Sequence, residues 1–194
     1  MFMSLPLLLT WLRIALIPLF VVMFYLDPFL VFARPGAAML FFIAGITDWL
    51  DGYFARKLNK NTKFGAFLDP VADKLLVVVA LILLVSDAEN GWRTLMALCA
   101  VIIIGRELTI SALREWMAEI GKRTKVKVTI IAKAKTTFQM IAIVFMLYKN
   151  PMGGLNMYVI GFILLAIATV LTVWSMWIYL RASWPEMSAQ MNSE

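Results

Sequence analysis

Six apolar runs, each near the length of a membrane crossing and bounded by charge, proline or glycine, leave this chain few folds to choose from. They cover Leu7–Leu26, Ala37–Phe54, Pro70–Val85, Thr94–Leu113, Thr129–Tyr148 and Leu155–Leu180. A bilayer's hydrocarbon layer is about 30 Å thick, which takes about 20 helical residues to cross. In lipid the backbone must hydrogen-bond to itself, and unbroken apolar runs fit helices rather than the alternating strands of a barrel. Composition agrees: 62% of the 194 residues are hydrophobic, against about 45–50% in a soluble domain. The reading is an all-α, polytopic membrane protein with about six transmembrane helices.

The first run lacks a basic leader and carries Arg13 inside it, so it is expected to stay as a mature helix rather than a cleaved signal. No repeat, low-complexity segment or linker divides the chain. A single membrane domain over 1–194 is expected, with a core over 1–184 and a frayed polar tail over 185–194.

Orientation follows from the basic residues. Of the 18 Lys and Arg, the six-span order puts Arg34, Arg93 and Lys149 on one side and the remainder on the other, including Arg56, Lys57, Lys60, Lys63 and the run Lys122, Arg123, Lys125, Lys127. The positive-inside rule makes the richer side cytoplasmic, with both termini there. The run Lys122–Lys127 reads as a solvated face against anionic lipid, helped by a net charge of +6, and no nucleic-acid partner is expected. Trp11, Trp92 and Trp184 near predicted boundaries read as interfacial anchors.

Cys99 is the only cysteine and histidine is absent, which excludes disulfides within the chain, Cys/His zinc sites and a histidine base. Cys99 reads as a small apolar filler. Acid–base or metal chemistry is left to carboxylates, Lys, Arg or Tyr.

Carboxylates are gathered in one place. Between the second and third runs stands "TDWLDGYFARKLNKNTKFGAFLDPVADK", Thr47 to Lys74. Asp48 and Asp51 are three apart at the end of one predicted helix; Asp69 and Asp73 are four apart at the start of the next, and each pair shares a helix face. Pro70 is read as part of a first helical turn, and "RKLNKNTKFG" as a short loop that makes the two helices antiparallel neighbours. Converging carboxylates repel by several kcal/mol at low effective dielectric, so a cation is required. Arg56, Lys57 and Lys74 can contribute. Carboxylate oxygens on opposing helices also suit two hard divalent cations, Mg²⁺ or Mn²⁺, which stabilise the entering and leaving oxygens of phosphoryl transfer. A merely solvated, orienting loop is the bland alternative, and paired carboxylates at a membrane edge argue against it.

The pattern Asp48-x-x-Asp51-Gly52-x-x-Ala55-Arg56, eight residues, then Gly65-x-x-x-Asp69-x-x-x-Asp73 resembles the complete signature of the CDP-alcohol phosphotransferases. The stretches "LPLLLTWLR", "GRELTISALREWMAEIGKR" and "KAKTT" are similar to one bacterial branch of that family, the phosphatidylglycerophosphate synthases, with Ser4 standing where the branch often carries Asn. The resemblance implies a six-helix enzyme of the bacterial cytoplasmic membrane, commonly a homodimer, with a polar cavity open to the cytoplasm. Its implied reaction transfers the phosphatidyl group of CDP-diacylglycerol to sn-glycerol 3-phosphate and releases CMP. By the same resemblance Asp48, Asp51, Asp69 and Asp73 would hold the metals, and Asp73 would also take the acceptor's proton. Gly52, Ala55 and Gly65 would line the cytidine pocket, with Arg56, Thr10 and Arg13 near the diphosphate.

Arg13 has a competing reading, in which it snorkels to lipid headgroups. The acceptor's phosphate calls for cations, and Arg106, Arg114, Lys133 and Lys135 are the candidates. Arg106 lies inside an apolar run beside Glu107, so it is either a phosphate ligand or a structural partner of Glu107 or of a signature aspartate; the phosphate role is favoured. Arg114 is eight residues further on, on nearly the same face. Two other functions stay open: the same chemistry with inositol phosphate, serine or phosphatidylglycerol as acceptor, or a cation transporter, whose site would be expected nearer the bilayer midplane.

Overall fold

In the computed structural model, which describes residues 5–58, 63–120 and 130–191, the regular structure is helical: α1 Leu5–Tyr25, α2 Ala33–Leu58, α3 Lys63–Asp87, α4 Asn90–Glu119, α5 Ile130–Tyr148 and α6 Met157–Met191. Each expected run has its helix. Two of them, Asn90–Glu119 and Met157–Pro185, are long and apolar enough by themselves to cross a membrane, while α1, α2 and α5 carry shorter apolar stretches.

The helices form a closed ring. α1 packs on α2 and α3, α3 on α4, α4 on α6, α6 on α5, and α5 on α2. Inside lie Phe20, Phe41, Leu81, Leu84, Met96, Ile103, Ile143 and Met146, all fully buried. Outside, large apolar side chains face outward on several helices: Val22, Met39, Ile82, Val101, Val170 and Trp177 are each more than half exposed. A monomer in water does not carry so much exposed apolar surface, and a helix bundle in lipid does. The chain is a membrane protein.

Local sequence explains the ends. α2 begins Ala33-Arg34-Pro35, with proline in the first turn, where its missing N–H costs nothing. Between α5 and α6, Met152 and Leu155 exchange backbone hydrogen bonds of 3.1 Å around Gly153 and Gly154, whose φ angles are +59° and +80°. Both central residues of such a turn need positive φ, which glycine alone adopts without cost. The α5–α6 seam is tight because Gly161 has no side chain: a Cβ there would lie 2.8 Å from the Ala142 carbonyl oxygen and 2.6 Å from Met146 Cγ.

Three expectations are corrected. α3 starts at Lys63, so Pro70 lies about two turns inside the helix instead of in its first turn. Most of the expected ten-residue loop is helix, α2 continuing to Leu58; charged turns beyond the hydrocarbon are solvated and helix can persist there. Residues 59–62 lie outside the described residues, as does the basic run over 122–127. The segment after Trp184 continues α6 through Pro185 to Met191 rather than fraying.

Candidate active site

A half-open cavity of about 590 Å³ is formed by residues of α1 to α5. Its lining is mainly apolar, including Phe42, Ile46, Val77, Ile103 and Val144, and its polar groups come from Arg13, Lys74, Glu107, Thr136, Thr137 and Gln139. An apolar chamber with a few convergent polar groups is the usual form of a small-molecule site.

The signature residues lie on α2 and α3, two of the helices that wall this chamber. For Asp48, Asp51, Gly52, Ala55, Arg56, Gly65, Asp69, Asp73 and Lys133, the structure describes the helix each belongs to and not its side chain. On α2, Asp48 and Asp51 follow Gly45, a cavity residue, by about one and two turns. On α3, Asp73 directly precedes Lys74, which lines the cavity and donates a hydrogen bond to Ser111 Oγ of α4. The helical spacings, three on α2 and four on α3, put each carboxylate pair on one helix face. Four carboxylates on two such helices are a hard-oxygen donor set that fits divalent cations.

Thr10 and Arg13 are 0% and 1% exposed, and both are engaged by neighbouring groups. Arg13 lines the cavity. A snorkelling arginine sends its head to water, so that alternative fails here.

Beside the cavity, with Glu107 alone of its members in the wall, a compact ion cluster joins three helices. Glu107 Oε1 accepts from Lys135 Nζ of α5 at 2.6 Å and from Arg106 Nη1 at 2.8 Å, while Arg106 Nη2 donates to Ser175 Oγ of α6 at 3.2 Å. Arg106 therefore does have the Glu107 partner that its position in an apolar run demands. Its Nε is buried and finds no acceptor among the described residues, so its donor capacity is not exhausted. Arg114 does lie toward the same neighbour as Arg106: its guanidinium stands 5.4 Å from the centre of the Tyr179 ring on α6. Arg114 is itself exposed, and neither Arg106 nor Lys135 forms part of the cavity wall.

Of the three charged cavity residues, the sequence alone assigns no site role to Glu107 and Lys74. Glu107 was noticed only as a partner for Arg106, and Lys74 only as a possible counter-charge. Lys74 follows a signature aspartate directly, a signal that was available. The convergence of Glu107 and Lys135 was not, because they are 28 residues apart in the chain.

A helical membrane protein with a polar-dotted chamber, walled in part by two carboxylate-bearing helices, has the parts of a membrane enzyme. The sequence profile of the CDP-alcohol phosphatidyltransferases matches residues 3–174. Over 193 residues, 99% of this chain and 96% of the relative, it is 49% identical to the CDP-diacylglycerol–glycerol-3-phosphate 3-phosphatidyltransferase of Pseudomonas fluorescens. Proteins of the same name from Salmonella paratyphi A and Haemophilus influenzae are 50% and 48% identical, each over 93% of this chain and 94% and 93% of their own. This chain belongs to the CDP-alcohol phosphatidyltransferase family, and it is a phospholipid-synthesising transferase.

Proposed function

We propose that the enzyme transfers the phosphatidyl group of CDP-diacylglycerol to sn-glycerol 3-phosphate, giving phosphatidylglycerol phosphate and CMP. The observation that carries this is the near-half identity, over almost the full length, to relatives named for that reaction. The basic residues Arg106 and Lys135 support a phosphorylated acceptor over serine, and the relatives' names favour glycerol 3-phosphate over inositol phosphate or phosphatidylglycerol.

Asp48, Asp51, Asp69 and Asp73 would hold two divalent cations, Mg²⁺ or Mn²⁺, the carboxylate chemistry and helical spacing being suited to them. Bound there, such ions supply charge neutralisation of the diphosphate and of the departing CMP. Asp73 receives the proton of the acceptor hydroxyl as its oxygen attacks the lipid-bearing phosphorus and the bond to CMP breaks. Gly52, Ala55 and Gly65 leave room for cytidine, and Arg56, Thr10 and Arg13 serve the diphosphate. Arg106, Arg114, Lys133 and Lys135 serve the acceptor phosphate. Holding both substrates in line supplies much of the rate, and no covalent enzyme intermediate is required.

The whole chain is read as one domain, spanning the bacterial cytoplasmic membrane six times as a homodimer, with both termini and the cavity mouth toward the cytoplasm. The charge distribution supports that orientation, since Arg34, Arg93 and Lys149 all lie at the opposite end of the bundle. The experiment is CMP release by purified protein with CDP-diacylglycerol and Mg²⁺, comparing glycerol 3-phosphate, inositol phosphate, serine and no acceptor. Release that needs glycerol 3-phosphate and stops with EDTA is expected. Release with another acceptor in preference would overturn the acceptor assignment, and no release from folded protein would overturn the reaction.

A further inference from the structure

Glu107 holds a position that the carboxylate signature does not account for. It lines the cavity with its side chain 28% exposed, while the side chains of Arg106 and Lys135 are only 12% and 2% exposed. Both cations donate to the same oxygen, Oε1, and Oε2 receives no hydrogen bond among the described residues. An ionised carboxylate offers about four acceptor sites, and it donates nothing. An oxygen unclaimed among the described residues, on a side chain that lines a largely apolar chamber, is an acceptor matched to a hydroxyl or amine of whatever enters.

We propose that Glu107 is a specificity-determining residue for the acceptor: Oε2 accepts a hydrogen bond from a secondary hydroxyl of a phosphorylated polyol, while Oε1 keeps Arg106 and Lys135 beside its phosphate. The proposal rests on the acceptor reading above. Charge makes it workable. A bare carboxylate would repel a phosphate ester, but two cations on Oε1 leave the cluster net positive among the described residues, so the phosphate is attracted while the remaining oxygen selects the hydroxyl. Level along the helices agrees. The Lys74–Ser111 hydrogen bond sets α3 beside α4, with Asp73 adjacent to Lys74 and Glu107 one turn from Ser111. Four residues from Ser111 to Glu107 and one from Lys74 to Asp73, on antiparallel helices, put the Glu107 backbone about 7.5 Å along the bundle from the level of Asp73, a span of the order of a three-carbon phosphate ester's length. The acceptor's reacting hydroxyl then meets Asp73 while its neighbouring hydroxyl meets Glu107.

The test compares glycerol 3-phosphate with 3-hydroxypropyl phosphate, which keeps the phosphate and the reacting primary hydroxyl and lacks the secondary one. In the wild type kcat/KM is expected to favour glycerol 3-phosphate by about tenfold or more, because a site built around a hydroxyl penalises its absence. In Glu107→Ala the preference falls to within about twofold while the KM for CDP-diacylglycerol holds, a change that a purely structural residue would not make. Should Glu107→Ala fail to fold, the isosteric Glu107→Gln carries the test, and its preference must fall by about threefold or more, since a neutral acceptor bonds more weakly than a charged one. A wild-type preference near one, or a preference unchanged in the variants, overturns the proposal. Absence of any turnover with glycerol 3-phosphate by the wild type overturns the acceptor reading beneath it.

Discussion

At one end of the bundle Arg34 is buried and stacked 4.2 Å over the Phe24 ring, with Asp87 Oδ1 at 2.6 Å and Asp27 Oδ2 at 2.7 Å; Asp87 Oδ2 also takes Lys149 Nζ at 3.1 Å. The Asp27 contact is ionic, Arg34 Nε being poorly aligned for a hydrogen bond. Toward the other end, Arg106 and Lys135 share one carboxylate among the described residues, Glu107. The first cluster matches two cations with two carboxylates and ties the α1–α2 turn to α2, α3 and α5. Counted over the described side chains, the second has a surplus of positive charge beside a cavity. A balanced cluster has no electrostatic reason to attract a ligand, and an unbalanced one favours an anion. The difference separates a clasp from a candidate binding site.

The comparison can be broken in order of effect. Asp48→Asn, on the helix that leads out of the cavity, should cut turnover by about a hundredfold or more, as expected for removal of a metal ligand from phosphoryl transfer, with the folded protein still recovered. Near-normal CMP release would rule out metal ligation by this residue. At the clasp, Arg34→Leu leaves two carboxylates short of a partner; partial exposure of both moderates the cost to about 2 kcal/mol, lowering the unfolding temperature by about 4–8 °C. Both substrate KM values should hold within about twofold of wild type in that variant. A selective rise in the acceptor KM would mean the two ends are not separate in function. At the α5–α6 seam, Gly161→Val should cost about 1–3 kcal/mol by overpacking against Ala142 and Met146, again read as a fall in unfolding temperature with kinetics unchanged.

The helices were legible because lipid forces the backbone to bond internally, so long apolar runs have one regular solution. The carboxylate spacing was legible for a related reason: once helices are assumed, residues three or four apart share a face. Helix ends were harder to read. "RKLNKNTKFG" carries glycine, asparagine and charge, which punctuate soluble chains, yet the helices run through most of it, and Pro70 lies within α3. Arg13 was ambiguous because an intramembrane arginine can reach out or in, and only packing decides. Both ion clusters depend on residues far apart in sequence, Arg34 with Asp87 and Glu107 with Lys135, and no local pattern announces such pairs.

The most direct measurement is the KM for glycerol 3-phosphate in Arg106→Ala beside Arg34→Leu, with the KM for CDP-diacylglycerol read in parallel. Loss of a charged phosphate contact predicts a rise of about ten- to a hundredfold in the acceptor KM of Arg106→Ala alone, with the CDP-diacylglycerol KM little changed. An equal rise for both substrates in Arg106→Ala, or no rise at all, would make the Arg106–Glu107–Lys135 cluster a second clasp and contradict its assignment as the acceptor site.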